Sequence, residues 1–412
     1  MKRLSNKEKK ELLSESKSFC ILPWLHIEVQ QDGRVLPCCR TQHYTPLGNV
    51  KDQPVNEIWN SEAQKDLRLR LLKSQKSKYC SYCYDIEDHG GKSPRQNFNQ
   101  FYSKEIDRID ETKDDGTYEK MSLKYLGIRF SNLCNLECVY CSPTYSSRWA
   151  QREGLPKEEQ VVYPFGEKGK ILELVKENID SLESLYIAGG EPLLEQEHLD
   201  LLLYLIEKGR TDISLYYNTN LTKLKFGKTS IIELWKSFKT VILDASIDSQ
   251  EERNDFIRLG AKWSVIEKNI EEVKAKAPNV LFRLYITNTL LNVLTLPRFM
   301  KDSIERGWLG PSDINFNNLT KPEYFAVQNL NQDLKEKAKE NLMEFIQEFL
   351  MEKYSTAQSI SLIIQIKELI NLMSKPQDQT QIPNLTHEIG KIQNSSGLKF
   401  DEIFPELNSL IK

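Results

Sequence analysis

From about Leu123 onward the chain alternates between two hydrophobic periods. Six short runs rich in β-branched and aromatic residues, YLGIRF, SLYIAG, ISLYYNT, TVILDASI, VLFRLYIT and DINFNN, read as strands. Between them lie stretches such as GKILELVKENI and DLLLYLIEKG, whose apolar positions recur at helical spacing. Strand–helix alternation predicts a parallel sheet with right-handed crossovers, and six such units predict an α/β fold built on a partial (β/α)6 barrel. Reactive groups in such a fold belong at the C-terminal ends of the strands. Before Leu123 the pattern differs: LHIEV and RVLPCC read as a hairpin turning at Gln31-Asp32-Gly33, and VNEIWNSEAQKDLRLRLLKS reads as a helix with Val55, Ile58, Trp59, Leu67, Leu71 and Leu72 on its apolar face. After Lys321 the chain reads as helices alone. These shifts divide it into a charged N-terminal arm (1–19), a small cysteine-rich α+β domain (20–100), a polar linker (101–122), the barrel (123–320) and a helical C-terminal extension (321–412).

Composition narrows the class. The 412 residues suffice for two or three units, more than a lone binding module needs. With 56 basic against 59 acidic side chains the net charge is −3, and no basic–aromatic stripe appears, so a nucleic-acid partner is not expected. No apolar run is long enough to span a bilayer and the N-terminus lacks a secretion signal, so the expectation is a cytoplasmic protein without a membrane partner.

Cysteine usage then changes the picture. All eight cysteines fall in the first 141 residues: Cys20, Cys38, Cys39, Cys80, Cys83, Cys134, Cys138 and Cys141. In a long cytoplasmic chain this argues for metal ligation over disulfides. Directly after the first barrel strand, Cys134, Cys138 and Cys141 are spaced x3 then x2. Three thiolates can hold three irons of a [4Fe–4S] cube and leave the fourth open to an external ligand. The competing reading is a zinc knot or chance spacing.

This loop, with aromatic Tyr140 before its last cysteine, resembles the signature of the radical S-adenosylmethionine family over residues 123 to 320. The resemblance implies a [4Fe–4S] cluster on Cys134, Cys138 and Cys141 whose open iron chelates S-adenosylmethionine, and one-electron cleavage to a 5′-deoxyadenosyl radical that abstracts hydrogen. Further positions are similar to family motifs. Gly189-Gly190-Glu191-Pro192 looks like the Gly-Gly-Glu-Pro that receives the cofactor's ammonium group, with glycines letting backbone carbonyls approach and Glu191 adding charge or supporting the loop. Asn220 resembles the family's Thr-Asn-Gly asparagine, although Leu221 stands where glycine is usual. Ser246 and Asp248 are placed for ribose hydroxyls or the cofactor carboxylate, and Arg258 resembles the arginine that clamps that carboxylate. For each of these polar groups the bland reading is a helix cap or a surface salt bridge.

Hairpin plus Cys-x-x-Cys, namely Cys20, Cys38, Cys80 and Cys83, supplies four thiolates to a second centre, with Cys39 as the spare because successive strand residues face opposite ways. With PLGNV, EIWN and DLRLR, this block resembles the twitch and SPASM auxiliary-cluster modules and carries cysteines for one cluster; in those relatives the module usually follows the barrel, whereas here it precedes it. A structural zinc site is the competitor, since four thiolates suit either metal. His26, His43, His89, His198 and His387 show no ligand-like spacing and read as surface or packing residues.

The expected function is radical cleavage of S-adenosylmethionine with hydrogen abstraction from a substrate. Resemblance to auxiliary-cluster relatives favours a peptide or protein side chain. The alternatives are oxidation, epimerisation or rearrangement of a small metabolite such as a sugar, and a non-catalytic metal-stabilised binding protein. An electron donor such as flavodoxin or ferredoxin is the further partner expected.

Overall fold

A computed structural model describes residues 3–41 and 45–411; His43 lies outside them. The chain forms two compact units, one of residues up to 133 with 157–216, the other of 134–156 with 217–412.

In the first unit the hairpin strands His26–Val29 and Arg34–Leu36 pair antiparallel, with Glu28 opposite Leu36. Gly33 turns the hairpin at φ +89°, where a Cβ would also strike the Asn49 side chain. The hairpin joins the barrel strands directly: His26–Val29 lies parallel to Tyr125–Arg129, His26 beside Tyr125, and Tyr125–Arg129 lies parallel to Ser184–Ala188. Successive strand residues face opposite ways, and on one face Ile27, Leu126, Ile128, Leu185 and Ile187 are fully buried. On the opposite face the same strands carry His26, Glu28, Arg129 and Tyr186.

The stretch read as one helix is two, Val55–Ile58 and Glu62–Leu72, separated where Ser61 caps the second by accepting from Gln64 N. Arg68 is fully buried between them, donating to Pro23 O (3.0 Å), Trp59 O (2.9 Å) and Asn60 Oδ1 (2.8 Å) while lying over the Trp59 ring. The linker is packed: Trp24 Nε1 donates to Thr112 Oγ1 at 2.8 Å and Trp59 Nε1 to Tyr118 O at 3.0 Å. The N-terminal arm folds as the helix Asn6–Ser14, started by a Ser5/Glu8 capping box and anchored by buried Lys9 on Asp107 (2.7 Å) and Asp110 (2.5 Å).

In the second unit Val241–Ser246, Val280–Asn288 and Ile314–Asn318 run parallel in that order, with Ser246 in register with Tyr285. The strand Ser214–Thr219 contributes residues to both units. All six strands read from the sequence are present, and the whole is α/β, with the strand–helix alternation of a partial barrel, the cysteine-rich α+β portion before it and helices after it. Among the helices that follow, Thr356–Met373 covers the strand Ile314–Asn318: Gln365 accepts from Phe316 N (2.7 Å) and donates to Ile314 O (3.1 Å), completing hydrogen bonds an edge strand leaves open. No helix among the described residues is long and apolar enough to cross a membrane.

Candidate metal centres

Residues Ser131 to Leu133, in the first unit, lead into the three-cysteine loop. Gly190 N donates to Ser131 O (3.1 Å) and Glu191 N to Leu133 O (2.7 Å), so the Gly-Gly-Glu-Pro turn is laid along the peptide that ends at Cys134. This explains both glycines. Gly189 has φ +122° and a Cβ there would stand 2.9 Å from Ser131 O; at Gly190 it would stand 2.2 Å from Leu133 O. The structure thus gives the glycines a packing reason, backbone against backbone, where the sequence suggested only an opening for a cofactor. Glu191, 1 % exposed, accepts from Leu193 N at 3.1 Å and so supports its own loop. Ser131 Oγ bonds the Glu195 carboxylate, and Asn132 ties in the following segment by accepting from Val162 N and donating to Gln160 O.

Cys134, Cys138 and Cys141 themselves belong to the second unit. Cys141 N donates to Cys138 O at 2.9 Å, turning the loop so that the Cys141 sulfur lies within electrostatic reach of the other two. Burial first, then the neighbouring sulfurs, push its thiol far up. A thiol so placed ionises when a cation or cluster takes the proton's place. The loop is clasped by the start of helix Ser147–Arg152: Ser146 Oγ donates to Leu136 O (2.7 Å), Ser147 Oγ accepts from Cys134 N (3.2 Å), and Trp149 Nε1 donates to Cys138 O (2.9 Å). Sequence reasoning passed over these three residues; the one signal was a pair of serines before a helical run, the pattern of an N-cap.

Asn220 Nδ2 reaches Asn135 Oδ1 (3.0 Å) and stands 3.9 Å from Cys134 Sγ, while its Oδ1 accepts from Thr222 N. Leu221 beside it is buried with φ +55°, the left-handed conformation in which glycine is the easy choice. Asp248, fully buried, is engaged on both oxygens: Tyr140 Oη donates at 2.5 Å, Thr287 N at 2.7 Å, and the Arg258 guanidinium lies at 2.8 and 3.2 Å. Arg258 Nη1 in turn meets Cys138 Sγ at 3.6 Å. Burial raises the Tyr140 phenol well above its ordinary range and also raises the Cys138 thiol, which Arg258 pulls the other way. Asp248 is therefore a buried anchor with its acceptors filled, where the sequence placed it for ribose hydroxyls or the cofactor carboxylate. Ser246 lies half-buried at its strand end.

In the first unit Cys20, Cys38, Cys80 and Cys83 line one pocket, together with Arg95 and Phe98. Each is brought by a different device: Cys20 precedes the turn Leu22–Trp24, Cys38 ends the hairpin, and Cys80 caps the helix Ser81–Asp88 that carries Cys83 one turn on. Cys39 is beside Glu28 and Arg129, and the pocket lining does not include it. Burial raises the Cys20 thiol and pushes Cys80 up to about 12. All eight cysteines are free thiols. A donor set of soft sulfurs fits iron–sulfur clusters, and among the described residues no three His, Cys, Asp or Glu side chains converge on a single ion. His26 and His198 are fully buried within the first unit; burial lowers them to about 4 and about 3.

Comparison with known proteins bears on these centres. The profile of the radical SAM superfamily matches residues 128–293, and that of the SPASM iron–sulfur cluster-binding domain matches residues 20–84. A GTP 3′,8-cyclase of Alkaliphilus metalliredigens is 29 % identical over 209 residues, 50 % of this chain and 55 % of that one. A GTP 3′,8-cyclase of Aliarcobacter butzleri is 32 % identical over 97 residues, 23 % and 27 % of the two. The chain thus spans about half or less of the length of these relatives. Among solved structures, anSMEcpe with bound AdoMet aligns with TM-score 0.39 and 22 % identity over 55 % of this chain and 61 % of that one. Streptococcus suis SuiB bound to its precursor peptide SuiA aligns with TM-score 0.38 and 14 % identity over 81 % and 70 %. The two profile matches imply a [4Fe–4S] cluster with S-adenosylmethionine for the one and auxiliary iron–sulfur binding for the other. A radical SAM region thus occupies residues 128–293 of this chain, preceded by a SPASM iron–sulfur cluster-binding region at residues 20–84.

Proposed function

We propose that this chain is an enzyme that cleaves S-adenosylmethionine reductively and uses the resulting radical to take hydrogen from a peptide or protein side chain. The observation that carries the reading is the clasped loop of Cys134, Cys138 and Cys141, with Cys138 buried and the other two half-buried, whose three sulfurs would leave a cubane one iron short of ligands. The cluster, when bound, supplies one electron to S-adenosylmethionine and an open coordination site for it. This chain's own residues do the rest. Ser146, Ser147 and Trp149 hold the loop's carbonyls and amides so that the sulfurs keep their spacing. Gly189 and Gly190 let a second backbone lie against the loop's entry. In the same reading Cys20, Cys38, Cys80 and Cys83 hold one auxiliary cluster, and a flavodoxin or ferredoxin provides electrons.

The SPASM match supports the peptide substrate by analogy, because auxiliary-cluster relatives commonly modify peptides. A second reading, a small-molecule substrate, is favoured by the curated relatives named GTP 3′,8-cyclases, one matched over 50 % of this chain and another over 23 %. Anaerobically reconstituted protein incubated with dithionite and S-adenosylmethionine should yield 5′-deoxyadenosine; none from a fully iron-loaded protein would leave the non-catalytic binding protein as the answer. Deuterium transfer from labelled peptide or labelled nucleotide into 5′-deoxyadenosine then separates the two substrate readings.

A further inference from the structure

Resting on the reading above, we infer that Arg258 sets the reduction potential of the cluster through the Cys138 sulfur, held in place by Asp248 and Tyr140, and does not act as the clamp on a cofactor carboxylate. Arg258 and Cys138 are joined twice. Their backbones form a short antiparallel bridge, Arg258 opposite Cys138 and Leu259 opposite Glu137, with Val139 N donating to Ile257 O at 2.9 Å. Their side chains meet at 3.6 Å, Nη1 to Sγ. The backbone bridge makes this contact a product of the fold.

The guanidinium's other side is occupied. Nε and Nη2 stand 2.8 and 3.2 Å from the Asp248 carboxylate, and Asp248 is itself fixed by Thr287 N and Tyr140 Oη. The Tyr140 ring lies under the guanidinium, 5.7 Å from its carbon. Arg258 is 5 % exposed, so it is a buried cation with its planar face on Tyr140, Nη2 hydrogen-bonded to Asp248 and Nε in ion-pair contact with the same carboxylate. A bidentate grip on an incoming carboxylate needs two parallel N–H groups free, and breaking the buried pair with Asp248 to free them is strongly unfavourable.

Reduction adds one negative charge to the cluster and its thiolates. A donor and positive charge at the ligand sulfur stabilise the reduced state and raise the potential, while the carboxylate behind Arg258 works against it from further away. Hydrogen bonds to cluster sulfurs and local charge are among the terms that set such potentials.

The two partners therefore predict opposite shifts, which general loosening of the fold would not produce. Reconstituted wild type, Arg258→Gln, Arg258→Lys and Asp248→Asn proteins are titrated electrochemically, following by electron paramagnetic resonance the reduced-cluster signal that changes when S-adenosylmethionine is added. Arg258→Gln should move the midpoint to more negative potential, Asp248→Asn to less negative potential, and Arg258→Lys should lie between wild type and Arg258→Gln, all at wild-type iron content. Unchanged midpoints, or shifts of one sign for Arg258→Gln and Asp248→Asn, would overturn the assignment. So would an unchanged potential with weakened S-adenosylmethionine binding in Arg258→Gln, which is the behaviour of a carboxylate clamp. A wild-type protein with no cluster signal that answers to S-adenosylmethionine would instead overturn the functional reading itself.

Discussion

The carboxylate of Glu28 occupies the space that any side chain at position 127 would need: a Cβ on Gly127 would stand 2.1 Å from Glu28 Oε2. The two residues are paired in register on the parallel strands that join the cysteine hairpin to the barrel. Glu28 is fully buried and ion-paired with Arg129. A buried pair broken on one side leaves an uncompensated charge, so Glu28→Gln should destabilise the protein by about 3–5 kcal/mol. Gly127→Ala should act on the same pair by displacing Glu28. Because the two changes share one interaction, the double variant should cost much less than the sum of the singles; a urea-unfolding double-mutant cycle giving additive values would contradict this coupling.

Buried histidines set an acid limit. His26 and His198 are held neutral by burial, with pKa values lowered to about 4 and about 3. Above about pH 6.5 both are neutral whether folded or unfolded and contribute no pH dependence. As pH falls below that value the unfolded chain takes up their protons and the folded chain does not, so stability declines by up to about 1.4 kcal/mol per pH unit for each histidine until the folded pKa is reached. His198→Gln removes one of these titrations. Its urea midpoint should fall less steeply than wild type between pH 6.5 and about pH 4; parallel slopes would show that His198 is not a source of the decline.

Gln365 closes the ladder of the strand Ile314–Asn318 from a helix 49 residues further along the chain. Replacing it with Leu keeps the bulk and leaves Phe316 N and Ile314 O without that partner, which should cost about 1–3 kcal/mol. Hydrogen exchange at Phe316 should accelerate in the variant, and unchanged protection there would show that the side chain does not seal the edge.

The clasp on the three-cysteine loop should be visible in metal retention. Ser147→Ala removes the hydroxyl that accepts from Cys134 N, and Trp149→Phe removes the donor to Cys138 O. Both variants should bind iron and lose it to a chelator several-fold faster than wild type, since partners that orient metal ligands commonly carry 10–100-fold of affinity. Equal loss rates would reduce the clasp to ordinary packing.

What the sequence disclosed follows from the range of each interaction. Strand positions such as those of YLGIRF and VLFRLYIT were legible because aromatic and β-branched residues crowd short runs whose every second side chain is apolar and buried, and the cysteines because thiol spacing is chemistry in itself. The reason for Gly189 and Gly190 was not legible: it lies in a contact with Ser131 and Leu133, more than fifty residues away, and a glycine reads alike whether backbone or ligand approaches it. Asp248 was picked out by its place at a strand end and Arg258 by resemblance, but whether their hydrogen-bonding groups were free or filled depended on Tyr140, Thr287 and Cys138, which only the folded chain brings together. The break between Val55–Ile58 and Glu62–Leu72 escaped because Ser61 within an amphipathic run looks like any polar position until its side chain caps the next helix.

Two sulfur-ligated clusters, one of them open to S-adenosylmethionine, are tested most directly by iron counting joined to spectroscopy. Anaerobically reconstituted wild type should hold about eight irons per chain, as two cubanes do, and its reduced spectrum should change when S-adenosylmethionine is added. The Cys134→Ala/Cys138→Ala/Cys141→Ala variant should hold about half that iron and give no response to S-adenosylmethionine. A variant that still responds, or a wild type whose loops hold zinc in place of iron, would contradict the account.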